Sequence, residues 1–185
     1  MQTAMQYFLL VLFTLLAAPG NAQVYNGKNG SVKLVGKAPQ ETVTAESHAL
    51  VGKLDVASRN FVFKQSLTQF KFSQGDLQKK DAEEIYWETD KFPAATFTGK
   101  IINDVDLRVD GVYNVNAVGI FSMHGVEKEM KIPATLTVSN GTITVTSQFK
   151  LFLSDFKIKV PRLVVMKVSE EFQADIALAL TKKQS

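Results

Sequence analysis

The chain has 185 residues, 45% hydrophobic and 21% charged, with 21 Lys and Arg against 18 Asp and Glu and no cysteine. That length suits one domain with a sizeable core. The missing cysteines exclude disulfides, thiolate metal sites, cysteine nucleophiles and the modified cysteine of a lipoprotein anchor. The net charge of +3 is scattered without a basic cluster or an RNP-like run, which argues against nucleic acid as a partner.

The first element is YFLLVLFTLLAA, Tyr7 to Ala18. This apolar run is too short to span a bilayer and long enough for a signal-peptide core, although no Lys or Arg precedes it. Pro19 and Gly20 break it, and Gly20-Asn21-Ala22 supplies small residues for signal peptidase. The expectation is an exported protein cleaved near Ala22, leaving a single domain over 23–185. No later stretch reaches 18 apolar residues.

Strand patterns fill the rest. They run over 31–36, 42–56, 59–72, 94–101, 111–123, a run after His124-Gly125 reaching 138, 141–153, 156–160 and 171–180. The segment 94–101 alternates without a fault, placing Ala95, Phe97, Gly99 and Ile101 on one side. Asn140-Gly141 and His124-Gly125 fit type I′ hairpin turns, which need positive φ at both central residues. Pro133 and Pro161 fall in strand-like segments and predict an edge, bend or bulge. One stretch differs: Ala82, Ile85 and Tyr86 recur at helical spacing, with Asp76 as N-cap and Pro93 beyond, predicting a short helix from Leu77 to Glu88.

About eight antiparallel strands end as a filled two-sheet sandwich or as a closed barrel, whose interior is packed or holds one small ligand. Eleven of the thirteen phenylalanines lie beyond residue 22. Rings coat a curved wall as readily as they fill a sandwich, so the pattern leaves both open.

Three segments add a resemblance. DKFPAATFTGKI (90–101), GIFSMHGVEKEMKIPATLTV (119–138) and FKLFLSDFKIKVP (149–161), with Gly52-Lys53-Leu54-Asp55 before them, together resemble the YceI-like family over roughly 31–181. The resemblance implies a lipocalin-like antiparallel barrel in the periplasm, with a hydrophobic lumen for a long amphiphile such as a polyisoprenoid or isoprenoid quinone. It supplies no catalytic residues and no cofactor. Two departures stand out: Leu77 or Gln78 and then Asp81 replace the Met and His that many relatives carry before the "YP" strand, and His124 stands where Asn is common.

On that reading, inward strand parity selects Phe70, Phe72, Phe97, Ile101, Val115, Ala117, Phe121, Met123, Phe149, Leu151, Phe156 and Ile158 as lumen residues, joined by Ile85 and Trp87 from the helical cover. Ala117 and Gly119, small and two apart, are expected to leave room for the guest. Each of these residues, taken singly, also suits ordinary core packing. Lys150, Lys157, Lys159, Arg162 and Lys167 gather late in the chain, where a solvated outer face competes with transient contact to a membrane surface. Glu84 and Glu88 lie one turn apart without further metal ligands, and neither His48 nor His124 has a motif that would make it catalytic. A filled envelope interaction module and a small lipocalin-like enzyme are the competing functions. Nothing in the pattern specifies an oligomer.

Overall fold

The computed structural model describes residues 23–161 and 166–182. The expected signal segment 1–22 and Arg162 lie outside the described residues. Nine strands form one sheet: β1 (Val24–Lys37), β2 (Thr42–Asp55), β3 (Asn60–Ser66), β4 (Lys71–Phe72), β5 (Ala94–Ile101), β6 (Gly111–Met123), β7 (Val126–Ser139), β8 (Thr142–Phe152) and β9 (Glu171–Lys182). Their order is β1-β9-β8-β7-β6-β5-β3-β2-β4, and β1 also pairs with β2. That last pairing closes eight strands into an antiparallel barrel, with two-residue β4 appended to β2. The filled-sandwich alternative is thereby overturned, since a sandwich leaves open edges and this ladder has none between β1 and β2.

The turns follow the sequence. His124 and Gly125 have φ of 53° and 69°, and Asn140 and Gly141 have 49° and 73°, as type I′ turns require. Where β5 and β6 pair at Gly99 and Gly119, the backbones approach so closely that a Cβ on Gly119 would lie 2.2 Å from the Thr98 carbonyl oxygen. Gly119 therefore permits tight strand approach. It does not open room for a guest, because its missing Cβ is where the neighbouring strand runs.

Four expectations need correction. The first strand begins at Val24, seven residues early, because the Gly and Asn residues of 26–30 hide it. Register shifts between Gly27 and Val32, with Asn29 at φ 59°, let those residues stay in the ladder as bulges. The 59–72 segment is broken after Ser66 by a 3-10 turn, Leu67–Gln69. The 156–160 segment is not a strand: Leu153–Phe156 is a 3-10 turn, Lys157 is left-handed, and the Ile158 amide bonds back to the Leu153 carbonyl.

The helix is α1, Asp76–Asp81, capped at Gly75 rather than Asp76, and it runs into a π-helical turn over Ala82–Tyr86. The Trp87 amide bonds to the Ala82 carbonyl five residues back. That wider turn brings Trp87 onto Ala82's face and rotates Ile85 outward.

Pro133 does mark an edge. The β7–β8 ladder covers only Thr135–Ser139 against Thr142–Thr146, so above Pro133 the two strands part. Pro161 lies outside any strand. The barrel end that carries the β2–β3, β5–β6 and β7–β8 connections is filled by Leu54, Leu107, Val138, Ile143 and Leu180, all buried. The opposite end carries α1, the π turn and the β8–β9 connection as a cover.

Candidate functional site

A narrow apolar lumen runs inside the barrel, with about 130 Å³ open to the centre of a water-sized sphere. All eight barrel strands contribute to its wall, because period-2 alternation on a closed sheet sends every second side chain inward. Leu54, Ile101, Val115 and Leu136 lie toward the filled end, and Leu67, Phe70, Trp87 and Met123 toward the cover. Phe61, Phe97 and Phe121 form a ring-to-ring series with centroid spacings of 4.9 and 6.1 Å, and Phe149 meets Phe121 at 6.4 Å. Ala95, Ala117, Ala134 and Ala174 stand between the larger side chains and keep the channel open.

Of the expected lumen residues, Phe70, Trp87, Phe97, Ile101, Val115, Ala117, Phe121, Met123, Phe149 and Leu151 border this space. Four do not. Ile85 is 58% exposed on the cover, for the π-turn reason given above. Phe72 packs against Trp87 from the side at 5.6 Å. Phe156 is buried behind Phe121 at 5.4 Å, and Ile158 is buried beside it in the core, because their segment is a turn and follows no strand parity.

Sequence reasoning passed over the walls given by β1, β2, β7 and β9, such as Val32, Leu34, Leu50, Ile132 and Ile176. The same parity rule would have found them. It also passed over Phe61 and Phe63, and the residue that continues their parity, Gln65.

Gln65 is the polar exception. It is 7% exposed, and its Nε2 donates to Ser47 Oγ at 2.8 Å and to the Ser66 carbonyl at 2.7 Å. Its Oε1 is buried with no donor among the described residues. The pair stands at an interruption of the wall. β2 pairs with β3 up to Leu50–Gln65 and with β4 at Glu46–Lys71, leaving residues 47–49 without a ladder partner on that side. Outside the interruption is a polar groove bordered by Glu46, Ser47, His48, Gln69 and Lys71. A hydrogen bond from Lys33, 2.9 Å away, holds the Glu46 carboxyl below its usual range.

A second interruption, above Pro133, is filled by the 3-10 turn. His124 Nδ1 lies 3.0 Å from the Phe156 carbonyl oxygen, its Nε2 lies 3.6 Å from Glu88, and its ring meets Phe92. The imidazole thus ties the β6–β7 turn to the cover, a role added to the backbone role expected for it. It does not border the lumen.

Lys150 is paired with Glu171, whereas Lys157, Lys159 and Lys167 are exposed. On and beside the helix, Glu83, Glu84 and Glu88 each meet a lysine, and no group of three metal-ligating side chains occurs among the described residues. No described helix is long and apolar enough to cross a membrane.

The comparisons agree with this geometry. No curated protein matches the chain. Among solved structures, a polyisoprenoid binding domain from Saccharophagus degradans, implicated in plant cell wall breakdown, superposes with a TM-score of 0.72 at 16% identity, covering 88% of this chain and 99% of that one. BcnA of Burkholderia cenocepacia follows with a TM-score of 0.63 at 18% identity, over 81% and 95% of the two chains. The YCEI protein of Campylobacter jejuni gives 0.58 at 17% identity, over 74% and 81%. These likenesses establish the shared fold. The YceI-like domain profile matches residues 24–180, nearly the whole described chain, and the protein therefore belongs to the YceI-like family.

Proposed function

We propose that this protein is a periplasmic carrier that holds one long amphiphile, of polyisoprenoid or isoprenoid-quinone type, in the barrel lumen. The single observation that carries the reading is a lumen walled by apolar side chains from all eight strands, in which Lys64, on an outward-facing position, is the only charged residue at the border among the described residues. A prenyl tail needs dry surface of the right bore and no chemistry. Each buried CH₂ contributes roughly 0.8 kcal/mol, so several isoprene units supply micromolar or better affinity after ordering costs. The polyisoprenoid-binding relative of the same fold supports that class of guest. The wall residues named above are then its contacts, Trp87 and Phe70 nearest the cover.

Export rests on the Tyr7–Ala18 pattern, with residues 1–22 removed. Uptake takes place at the cover. There Leu77, Ile85 and Met166 are exposed, and bonds from Gln78 to Glu41 and from Gln40 to Met166 hold their segments around the β1–β2 turn. These exposed apolar tips, with Lys157, Lys159 and Lys167 exposed in the β8–β9 connection, suit transient contact with an anionic bilayer.

Native mass spectrometry of the protein expressed from the full sequence and recovered from the periplasm, followed by extraction with organic solvent, tests the reading. One prenyl lipid per protein is expected. A lipid-free protein that also takes up no prenyl probe overturns it.

A further inference from the structure

We infer that the guest enters and leaves through a slot between β7 and β8, that the 3-10 turn Leu153–Phe156 is the plug of that slot, and that His124 is its latch. The inference deepens the carrier reading and rests on it.

The slot is a property of the ladder. β7 and β8 pair from Ser139–Thr142 to Thr135–Thr146 and no further, which leaves 126–134 of β7 and 147–152 of β8 without pairing between them. Pro133 explains the stop. The N–H and C=O of a strand residue point to the same side. The Pro133 carbonyl accepts from Ser147 Oγ at 2.6 Å, so the amide hydrogen that proline lacks is one that β8 would have taken. The interruption beside Ser47 spans only 47–49, and this one is longer on both strands. Opening the wall here breaks no ladder bond between β7 and β8.

Side chains fill the slot. Leu153, Phe156 and Ile158 are buried, and the turn touches both β7 and β8. Phe156 backs onto Phe121 at 5.4 Å, and Phe121 borders the lumen. Withdrawing Phe156 therefore uncovers the lumen wall near its cover end. The ties that hold the plug are few. Its own bonds, from the Lys157 amide to the Ser154 carbonyl and from the Ile158 amide to the Leu153 carbonyl, travel with it. Among the described residues, the Leu153 amide fixes one end to the Glu170 carbonyl at 2.9 Å, which makes a hinge. The other end is held by the Asp155–Lys128 ion pair and by His124, whose Nδ1 lies 3.0 Å from the Phe156 carbonyl oxygen. Lys157, at φ 57°, carries a left-handed backbone that docking of the plug maintains and opening relieves. The same imidazole meets Glu88, the residue after Trp87, at 3.6 Å. One side chain thus fastens the plug and the tryptophan at the covered end of the lumen. Lys157 and Lys159 are exposed beside the plug, where an anionic bilayer would present the guest.

The test follows exchange of geranylgeraniol with the delipidated protein by stopped flow, read from the emission of Trp87, the chain's one tryptophan and a lumen residue. His124→Asn keeps a residue that tolerates positive φ and gives up the reach to both partners. Association and dissociation are expected to quicken together by about tenfold, with Kd changed by less than about twofold. A second arm pins the plug. The chain has no cysteine, so Lys128→Cys with Asp155→Cys can be joined specifically by a bis-maleimide that contains a reducible disulfide. The join is expected to slow both rates by about tenfold or more, and reductant to restore them. Unchanged rates in either arm overturn the inference. So does a His124→Asn protein whose Kd weakens while association holds, because His124 then shapes the lumen and not its entry. Each of these results leaves the carrier reading standing. If geranylgeraniol does not bind the wild-type protein, the carrier reading falls and the inference with it.

Discussion

Ala117→Trp separates an open lumen from a packed interior. Ala117 lies on the inner face of β6, across from Ile101 on β5 and Ile132 on β7, partway between the filled end and the cover. An indole built there projects into the channel. A guest that forfeits one isoprene unit loses contact for five carbons, about 4 kcal/mol at roughly 0.8 kcal/mol each. Partial re-routing of the tail recovers some of this, so the expected loss is at least tenfold, approaching about a thousandfold if the tail cannot pass. Stability moves the other way. In a filled core the extra ring costs about 1–3 kcal/mol, or about 2–4 °C in Tm for each kcal/mol in a domain of this size. In an open channel it fills space and leaves Tm within about 2 °C. Titration with geranylgeraniol and a thermal melt of the delipidated protein read the two quantities. A Tm lower by several degrees with unchanged binding would refute the reasoning.

Three further outcomes follow from particular contacts. Gly119→Ala places a methyl 2.2 Å from the Thr98 carbonyl oxygen and 2.6 Å from Gly99 Cα, both backbone, so chemical denaturation should show a loss of about 1–3 kcal/mol or more, and an unchanged midpoint would contradict the close strand approach. Leu77→Asp with Ile85→Asp, on the exposed cover, should slow transfer of a prenol from anionic vesicles severalfold while leaving Tm and solution affinity alone; unchanged transfer would dismiss the cover as the docking end. Asp55 closes the β2–β3 turn. Burial, the largest single influence on it, pushes its pKa up, but hydrogen bonds from the Ser58 side chain and the Ala57 and Ser58 amides together outweigh burial and lower it. A lowered folded pKa means stability that is present above the ordinary carboxylate pKa near 4 and lost as pH falls through the folded value. Asp55→Asn should therefore flatten the loss of stability below about pH 4, and an identical acid limb would show that this turn is not its source.

How far the sequence could be read depended on which rule governed each segment. Where period-2 alternation met a Gly-containing turn, as at 111–123 and 141–153, both the strand and its inner face were legible, to within a residue at the end of β8. Where one residue was inserted, the phase was lost. The bulge of β2 between Ser47 and Leu50 lets Ser47 and Leu50 both face inward, three apart, which no alternation rule anticipates. The π turn did the same to the helix and moved Ile85 out of the set. Phe156 and Ile158 kept the spacing of a strand inside a turn that depends on Lys157 being left-handed and on His124 reaching the Phe156 carbonyl, a contact 32 residues distant. Closure itself depends on the long-range pairing of β1 with β9, which local pattern leaves undecided. Here the resemblance carried information that periodicity could not. Gln65 escaped because a search for greasy walls discards the one polar residue that continues their parity.

The ladder explains why such a lumen persists. An apolar void ordinarily shrinks as its walls relax, and what remains unfilled destabilises the protein. In a closed barrel the walls cannot relax inward without breaking ladder hydrogen bonds, since strand number and stagger fix the diameter. The alanines on β5, β6, β7 and β9 therefore leave space that the walls cannot close. That constraint holds wherever the ladder is continuous and weakens where neighbouring strands lose their pairing, as beside Ser47 on β2 and above Pro133 between β7 and β8. At the first a single side-chain hydrogen bond, Gln65 to Ser47, bridges the gap. At the second Phe156 fills it, held through its carbonyl by His124. Widening the barrel at either place breaks side-chain contacts and spares the backbone ladder, so these two seams, rather than the continuous wall, are where the barrel yields most easily.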